Sequence, residues 1–125
     1  MSNLDVVLAY MDCISAGDFE GALAMTTDDV RFQGPQGEQM DKEALRGIFT
    51  AVKPLLVNPF DQEIVGTTCE VNRVAVESRA STLLANGNTY SNLYHFLFEV
   101  VDGRITACRE YNNTLAISAF GFPAG

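Results

Sequence analysis

Two dipeptides, Asn86-Gly87 and Asp102-Gly103, constrain the fold of this 125-residue chain more than any other feature. A type I′ turn needs positive φ at both central residues, and Asn-Gly and Asp-Gly supply it at least cost. β-Rich runs flank both dipeptides: Arg73 to Leu84, Thr89 to Val101, and Arg104 to about Asn112. Residues 73–113 therefore read as a three-stranded antiparallel meander that carries one carboxylate, Glu110, near its end. Upstream, Leu4, Val7, Leu8, Met11 and Ile14 repeat at helical spacing behind a Ser2 or Asn3 cap, and Gly17 stops that helix. Asp18 caps a second, short helix from Phe19 to about Thr26. Thr27-Asp28-Asp29 reads as polar punctuation before a short strand, Val30-Arg31-Phe32. Asp41 caps a third helix with Leu45, Ile48, Phe49 and Val52 on one face, and Pro54 and Pro59 punctuate its end. Phe60 to Glu70 looks extended, and the apolar tail from Thr114 finishes as a helical turn. Strands that run together after helices predict an α+β domain spanning 1–125, a curved antiparallel sheet wrapped around three N-terminal helices.

The chain is 47% hydrophobic, enough for a real core, and its net charge of −8 excludes a basic footprint for nucleic acid or an anionic membrane surface. The expected partner is a small molecule. Cys13, Cys69 and Cys108 are odd in number and widely spaced, which suits reduced thiols in the cytoplasm. No His or Cys stands at metal-ligand spacing, and no metal or cofactor is expected. The N-terminus has no basic region followed by an apolar run, so no signal peptide is expected, and no window is long enough to span a membrane.

Several motifs in order resemble a known group. Tyr10 through Ala16-Gly17-Asp18, then Thr27-Asp28-Asp29-Val30, resembles the opening of ketosteroid isomerase-like and SnoaL-like polyketide cyclase-like domains of the nuclear transport factor 2-like superfamily. Asn86-Gly87-Asn88-Thr89-Tyr90-Ser91-Asn92, Tyr94-His95-Phe96, Asp102-Gly103-Arg104-Ile105 and Arg109-Glu110-Tyr111 are similar to the SnoaL-like branch in particular. The resemblance covers nearly the whole chain. It implies a cone of bent sheet around helices, a deep pocket inside, and homodimers formed through the outer sheet face. It also implies that Tyr10 matches an oxyanion-stabilising tyrosine. The isomerases place a catalytic Asp just before a loop proline, where this chain has Gln33-Gly34 before Pro35. The Asp that follows Glu-Tyr in the SnoaL-like pattern is Asn112-Asn113 here. In limonene epoxide hydrolases, which share the fold, one catalytic carboxylate lies where Glu110 stands, but the acid of their Arg-x-Asp is missing at Arg79-Ala80-Ser81.

Strand alternation assigns faces. If Tyr94 points inward, so do Asn92, Phe96 and Phe98, while His95, Leu97 and Glu99 point outward. Cys108, Glu110 and Asn112 share the inner face of the last strand. The expected cavity is walled by Phe96, Phe98, Phe32, Phe49 and Met11, with Cys108 beside them. Its polar points are Tyr10, Asn92, Tyr94, Glu110 and Asn112. Glu110 is the candidate acid or base, because desolvation raises a carboxyl towards neutrality. Tyr10 and Tyr94 are candidate donors to a developing oxyanion. The plain alternatives are that Glu110 pairs with Arg109, Arg79 or Arg73 to hold the sheet, that the tyrosines are core residues, and that the inward Asn residues bind buried water. His95 belongs on the outer face.

Two functions stay open. One is a cofactor-independent enzyme performing proton transfer, as in an isomerase or cyclase, or water addition on a small apolar substrate. The other is a ligand-binding or dimerisation module that has lost the family's catalytic Asp.

Overall fold

A computed structural model describes residues 1–58, 60 and 62–121. Helix α1 (Asn3–Ser15) opens on a capping box. The Asp5 N–H donates to the Ser2 hydroxyl and the Ser2 N–H to the Asp5 carboxylate, each at 3.1 Å, which satisfies two donors that the helix itself cannot. Val6, Val7, Tyr10, Met11 and Ile14 form its buried face. Leu4 and Leu8 of the expected stripe lie half-buried at its margin. Asp18 caps α2 (Phe19–Leu23) by accepting the Gly21 N–H at 2.9 Å. This helix stops short of Thr26 because Thr26 already opens strand β1 (Thr26–Gln33), buried, with its hydroxyl donating to the Leu23 carbonyl at 2.6 Å. The Thr27-Asp28-Asp29 run is therefore strand, not punctuation. Pairing register breaks between Thr26 and Arg31, and the bulge leaves both aspartates in solvent.

Strand β2 (Gln39–Met40), absent from the sequence reading, pairs with β1. Asp41 caps α3 (Lys42–Val52), accepting the Ala44 N–H at 2.8 Å. A 3₁₀ turn (Lys53–Leu55) follows, then β3 (Gln62–Glu70), β4 (Arg73–Leu83), β5 (Thr89–Val101) and β6 (Arg104–Asn112). The tail forms a 3₁₀ segment (Thr114–Phe120) capped by the Asn113 side chain. Pro59 and the end of the apolar tail, 122–125, lie outside the described residues.

The strands make one six-stranded sheet in the order β2-β1-β6-β5-β4-β3. Every neighbouring pair is antiparallel except β1 with β6, which is parallel. Hairpins fix the directions of β3 to β6. No hairpin links β1 to β6, so the direction of β1 follows from where α2 delivers the chain. The sheet is thus curved, unclosed and mixed, with α1 and α2 before it and α3 between β2 and β3, as expected of this α+β class.

The two turn dipeptides differ. Asp102 and Gly103 both have positive φ (51° and 77°), the type I′ signature. At the other hairpin Gly87 alone is left-handed (φ 88°). The Gly87 N–H donates to the Leu84 carbonyl at 2.9 Å and the Leu84 N–H to the Asn88 carbonyl at 2.8 Å. This is a three-residue loop ending in a glycine bulge rather than a two-residue type I′ turn.

The dry core packs α1 and α2 against Val74, Val76, Phe98, Val100 and Ile105. Helix α3 contributes no buried residue. Among the described residues no helix is long and apolar enough to cross a membrane.

Candidate functional site

The inner face of β5 changes character along its length. Phe98 and Val100 are sealed in the core, while Tyr90, Asn92, Tyr94 and Phe96 continue the same face into open space. That space is a cavity of about 470 Å³, within the range of small-molecule sites. Helix α1 supplies Tyr10 and Met11, β1 supplies Phe32, and β6 supplies Cys108, Glu110 and Asn112. The apolar stripe of α3, from Leu45 to Val52, forms one wall, which explains why the helix buries nothing outright. Phe49 is fixed there by stacking on Phe19, centroids 4.4 Å apart.

Register brings the polar groups together. Tyr94 lies opposite Asn112, Phe96 opposite Glu110, and Phe98 opposite Cys108. Glu110 therefore faces a phenyl ring. Among the described residues its Oε2 accepts one hydrogen bond, from Asn112 Nδ2 at 2.6 Å. Burial pushes its carboxyl up to about 7; the Asn112 bond opposes the rise and the charge of Glu38 adds to it. The arginines offered as structural partners are engaged elsewhere: Arg109 with Glu99 at 3.2 Å, and Arg79 with Glu63 at 2.9 Å. Among the described residues no ion pair reaches Glu110 or Arg73.

Tyr10 is 5% exposed and its ring meets Phe98 edge-on at 5.5 Å. No hydrogen bond to a described residue holds its hydroxyl. Burial foremost, then Cys108 and Glu110, hold that hydroxyl well above the usual phenol range. Tyr94 stacks on Phe96 at 5.4 Å, and its hydroxyl hydrogen-bonds the Tyr90 hydroxyl. Burial, followed by Tyr90 and Glu110, raises the Tyr94 hydroxyl strongly. Burial likewise raises the Cys108 thiol well above its ordinary value, leaving it protonated and inert at neutral pH.

Two expected ligand contacts change meaning. Phe98 does not reach the cavity; at 0% exposure it lies in the core beneath Phe96. Asn92 borders the cavity with its amide fully used. It donates to the Tyr90 hydroxyl at 2.8 Å and the Asn113 carbonyl at 3.1 Å. It accepts the Leu93 and Asn113 N–H groups at 2.8 and 3.0 Å. Both donors and both acceptor positions are then taken, so Asn92 ties β5 to the Asn113 turn. His95 is exposed on the outer face, opposite Tyr111.

Tyr90 and Glu38 are among the lining residues that sequence reasoning passed over. Tyr90 has the same strand parity as Tyr94, a signal that was available. Glu38 carried no local signal. Its Oε1 accepts the Gln36 N–H at 2.9 Å and lies 1.9 Å from where a Cβ on Gly34 would be. A side chain at position 34 would displace it, so the bare glycine admits a second carboxylate to the cavity wall.

The SnoaL-like domain family matches residues 7–108. No curated protein matches the chain in sequence. A putative polyketide cyclase, IdmH from Streptomyces antibioticus, aligns with TM-score 0.82 at 14% identity, covering 98% of this chain and 100% of its own. A limonene epoxide hydrolase-like enzyme from M. tuberculosis aligns at 0.75 and 19% identity, covering 88% and 81%. A protein of ketosteroid isomerase-like fold from Catenulispora acidiphila, solved in complex with trimethylamine, aligns at 0.78 and 15%, covering 94% and 93%. At these identities the solved structures speak to fold, and the family match speaks to membership. The chain belongs to the SnoaL-like domain family and has a ketosteroid isomerase-like, NTF2-like fold.

Proposed function

We propose that the cavity binds a small, largely apolar substrate and that Glu110 moves a proton on it without a cofactor. The observation that carries this reading is a carboxyl with a single hydrogen bond among the described residues, set against Phe96 on a cavity wall and brought to about 7. A group poised there serves as acid and base in turn at neutral pH. As carboxylate, Glu110 takes a proton from a carbon next to a carbonyl, or from a water. Tyr10 and the Tyr90–Tyr94 pair donate to the oxygen on which charge develops. The protonated Glu110 then returns its proton to a second atom. Resemblance in fold to a putative polyketide cyclase and an epoxide hydrolase is consistent with either outcome, isomerisation or water addition.

A second reading, a binding module without catalysis, draws on Gln33-Gly34 and Asn112-Asn113, none of which bears an acid. Titration with small cyclic ketones and epoxides, followed by turnover assays, separates the two. Glu110→Gln should abolish turnover and leave ligand affinity nearly intact; unchanged turnover refutes the role given to Glu110. The outer sheet face, where Leu93 is 69% exposed, is proposed as the contact between two copies of the chain.

A further inference from the structure

We propose that the cavity selects an organic cation, an apolar body bearing an amine or quaternary ammonium, over neutral and carboxylate molecules of the same shape. This deepens the small-molecule reading above and rests on it. The observation is the sign of the wall. Glu110 and Glu38 both line the cavity, and among its described lining residues there is no Lys, Arg or His. The nearby cations are committed elsewhere. Arg109 pairs with Glu99, Arg46 pairs with Glu20 and Glu43, and Lys42 donates to the Thr26 carbonyl at 3.3 Å.

A carboxylate guest would lose its hydration and meet no counter-charge, the costliest form of burial. A cation would meet aromatic rings, among them Phe32, Tyr94 and Phe96, and a ring face attracts a cation through its negative quadrupole. It would also supply the partner that ionised Glu110 lacks. Tyr10, a buried residue that lines the same space, brings a hydroxyl with no hydrogen bond to a described residue. Among the described residues the groups that interact with Glu110 are Tyr10 from α1, Tyr90 and Tyr94 from β5, Cys108 and Asn112 from β6, and Glu38 from the loop before β2. Glu38 is the one charged member, and it is negative.

Three probes sharing one benzyl skeleton test this: benzyltrimethylammonium, the neutral benzyldimethylcarbinol, and the carboxylate with the same two methyl groups. Their affinities are measured by calorimetry on the whole chain. At about pH 8.5 the ammonium should bind about tenfold more tightly than the carbinol, a difference of the size cation–π and ionic contacts supply. The carboxylate should show no binding. The preference should shrink towards about pH 5.5, where Glu110 is protonated. Glu110→Gln should remove most of the preference while leaving carbinol affinity within about twofold, and Glu38→Gln should remove part of it.

Equal or tighter binding of the carbinol at high pH, binding of the carboxylate, or a preference untouched by both substitutions overturns the cation selection and leaves the small-molecule reading standing. Failure of all three probes to bind also overturns it. The small-molecule reading is then decided separately, by the ketone and epoxide titration.

Discussion

Exchanging Glu110 for Gln should change how stability depends on pH, an effect that can be measured before any substrate is known. Glu110 ionises at about 7 in the folded protein against an ordinary 4.5. Below 4.5 the carboxyl is protonated in both states and costs the fold nothing. Between 4.5 and 7 the unfolded chain releases the proton while the folded chain keeps it, so stability falls as pH rises. Above 7 both states are ionised and the loss is complete. At roughly 1.4 kcal/mol per pH unit, the gap between 4.5 and about 7 amounts to about 3 kcal/mol. Gln keeps the shape and still accepts from Asn112, yet it carries no charge. Thermal unfolding of both proteins from about pH 4 to about pH 8 should give equal midpoints in acid. The variant's advantage should then grow to on the order of 10 °C near pH 8. Midpoint curves that stay parallel across this interval would show that the carboxyl ionises as if in water, and the reasoning about its surroundings would fail.

Other substitutions test the packing. Phe98→Ala should cost about 3–5 kcal/mol in urea unfolding because its ring is sealed in the core, whereas Phe32→Ala, bordering space that already exists, should cost clearly less. Asn92→Ala should cost about 3 kcal/mol, since it removes the side-chain partner of both the Asn113 carbonyl and the Asn113 N–H and leaves the Tyr90 hydroxyl with Tyr94 alone among the described residues. Leu93→Glu should convert a dimer to a monomer in sedimentation if the outer face joins two copies, with no change in the folded far-ultraviolet spectrum.

Local chemistry made some of this architecture readable. Asp41 and Asp18 cap the helices they precede in sequence, and Asp102-Gly103 adopts the turn its residues favour. Alternation along β5 separates His95 from Tyr94 without any tertiary information. The failures arise where distant residues decide. Asn86 keeps negative φ because strand register leaves three residues to turn the chain, and one glycine suffices. Thr27-Asp28-Asp29 has turn composition but is drawn into β1 by its parallel neighbour β6, with the bulge absorbing the mismatch. Phe98 has the right parity for the cavity and the wrong depth, which alternation cannot distinguish. Glu38 reaches the site through a loop whose path depends on Gly34 having no side chain. The arginines near Glu110 in sequence or register pair outward, because neighbours along a strand face opposite ways.

Helix α3 holds a wider consequence. Its apolar stripe borders empty space, and its anchors are a ring stack, one capped end and ion pairs at the surface. A guest molecule in the cavity would pack against that stripe, adding to the contacts Leu45 and Phe49 make with the core. Occupancy and folding are then thermodynamically linked: a guest raises the melting temperature in proportion to the logarithm of its concentration. It should also slow amide exchange across residues 42–52 more than anywhere in α1. Melting-point screening of compound libraries against this protein would therefore report cavity binders through a helix that forms the cavity wall.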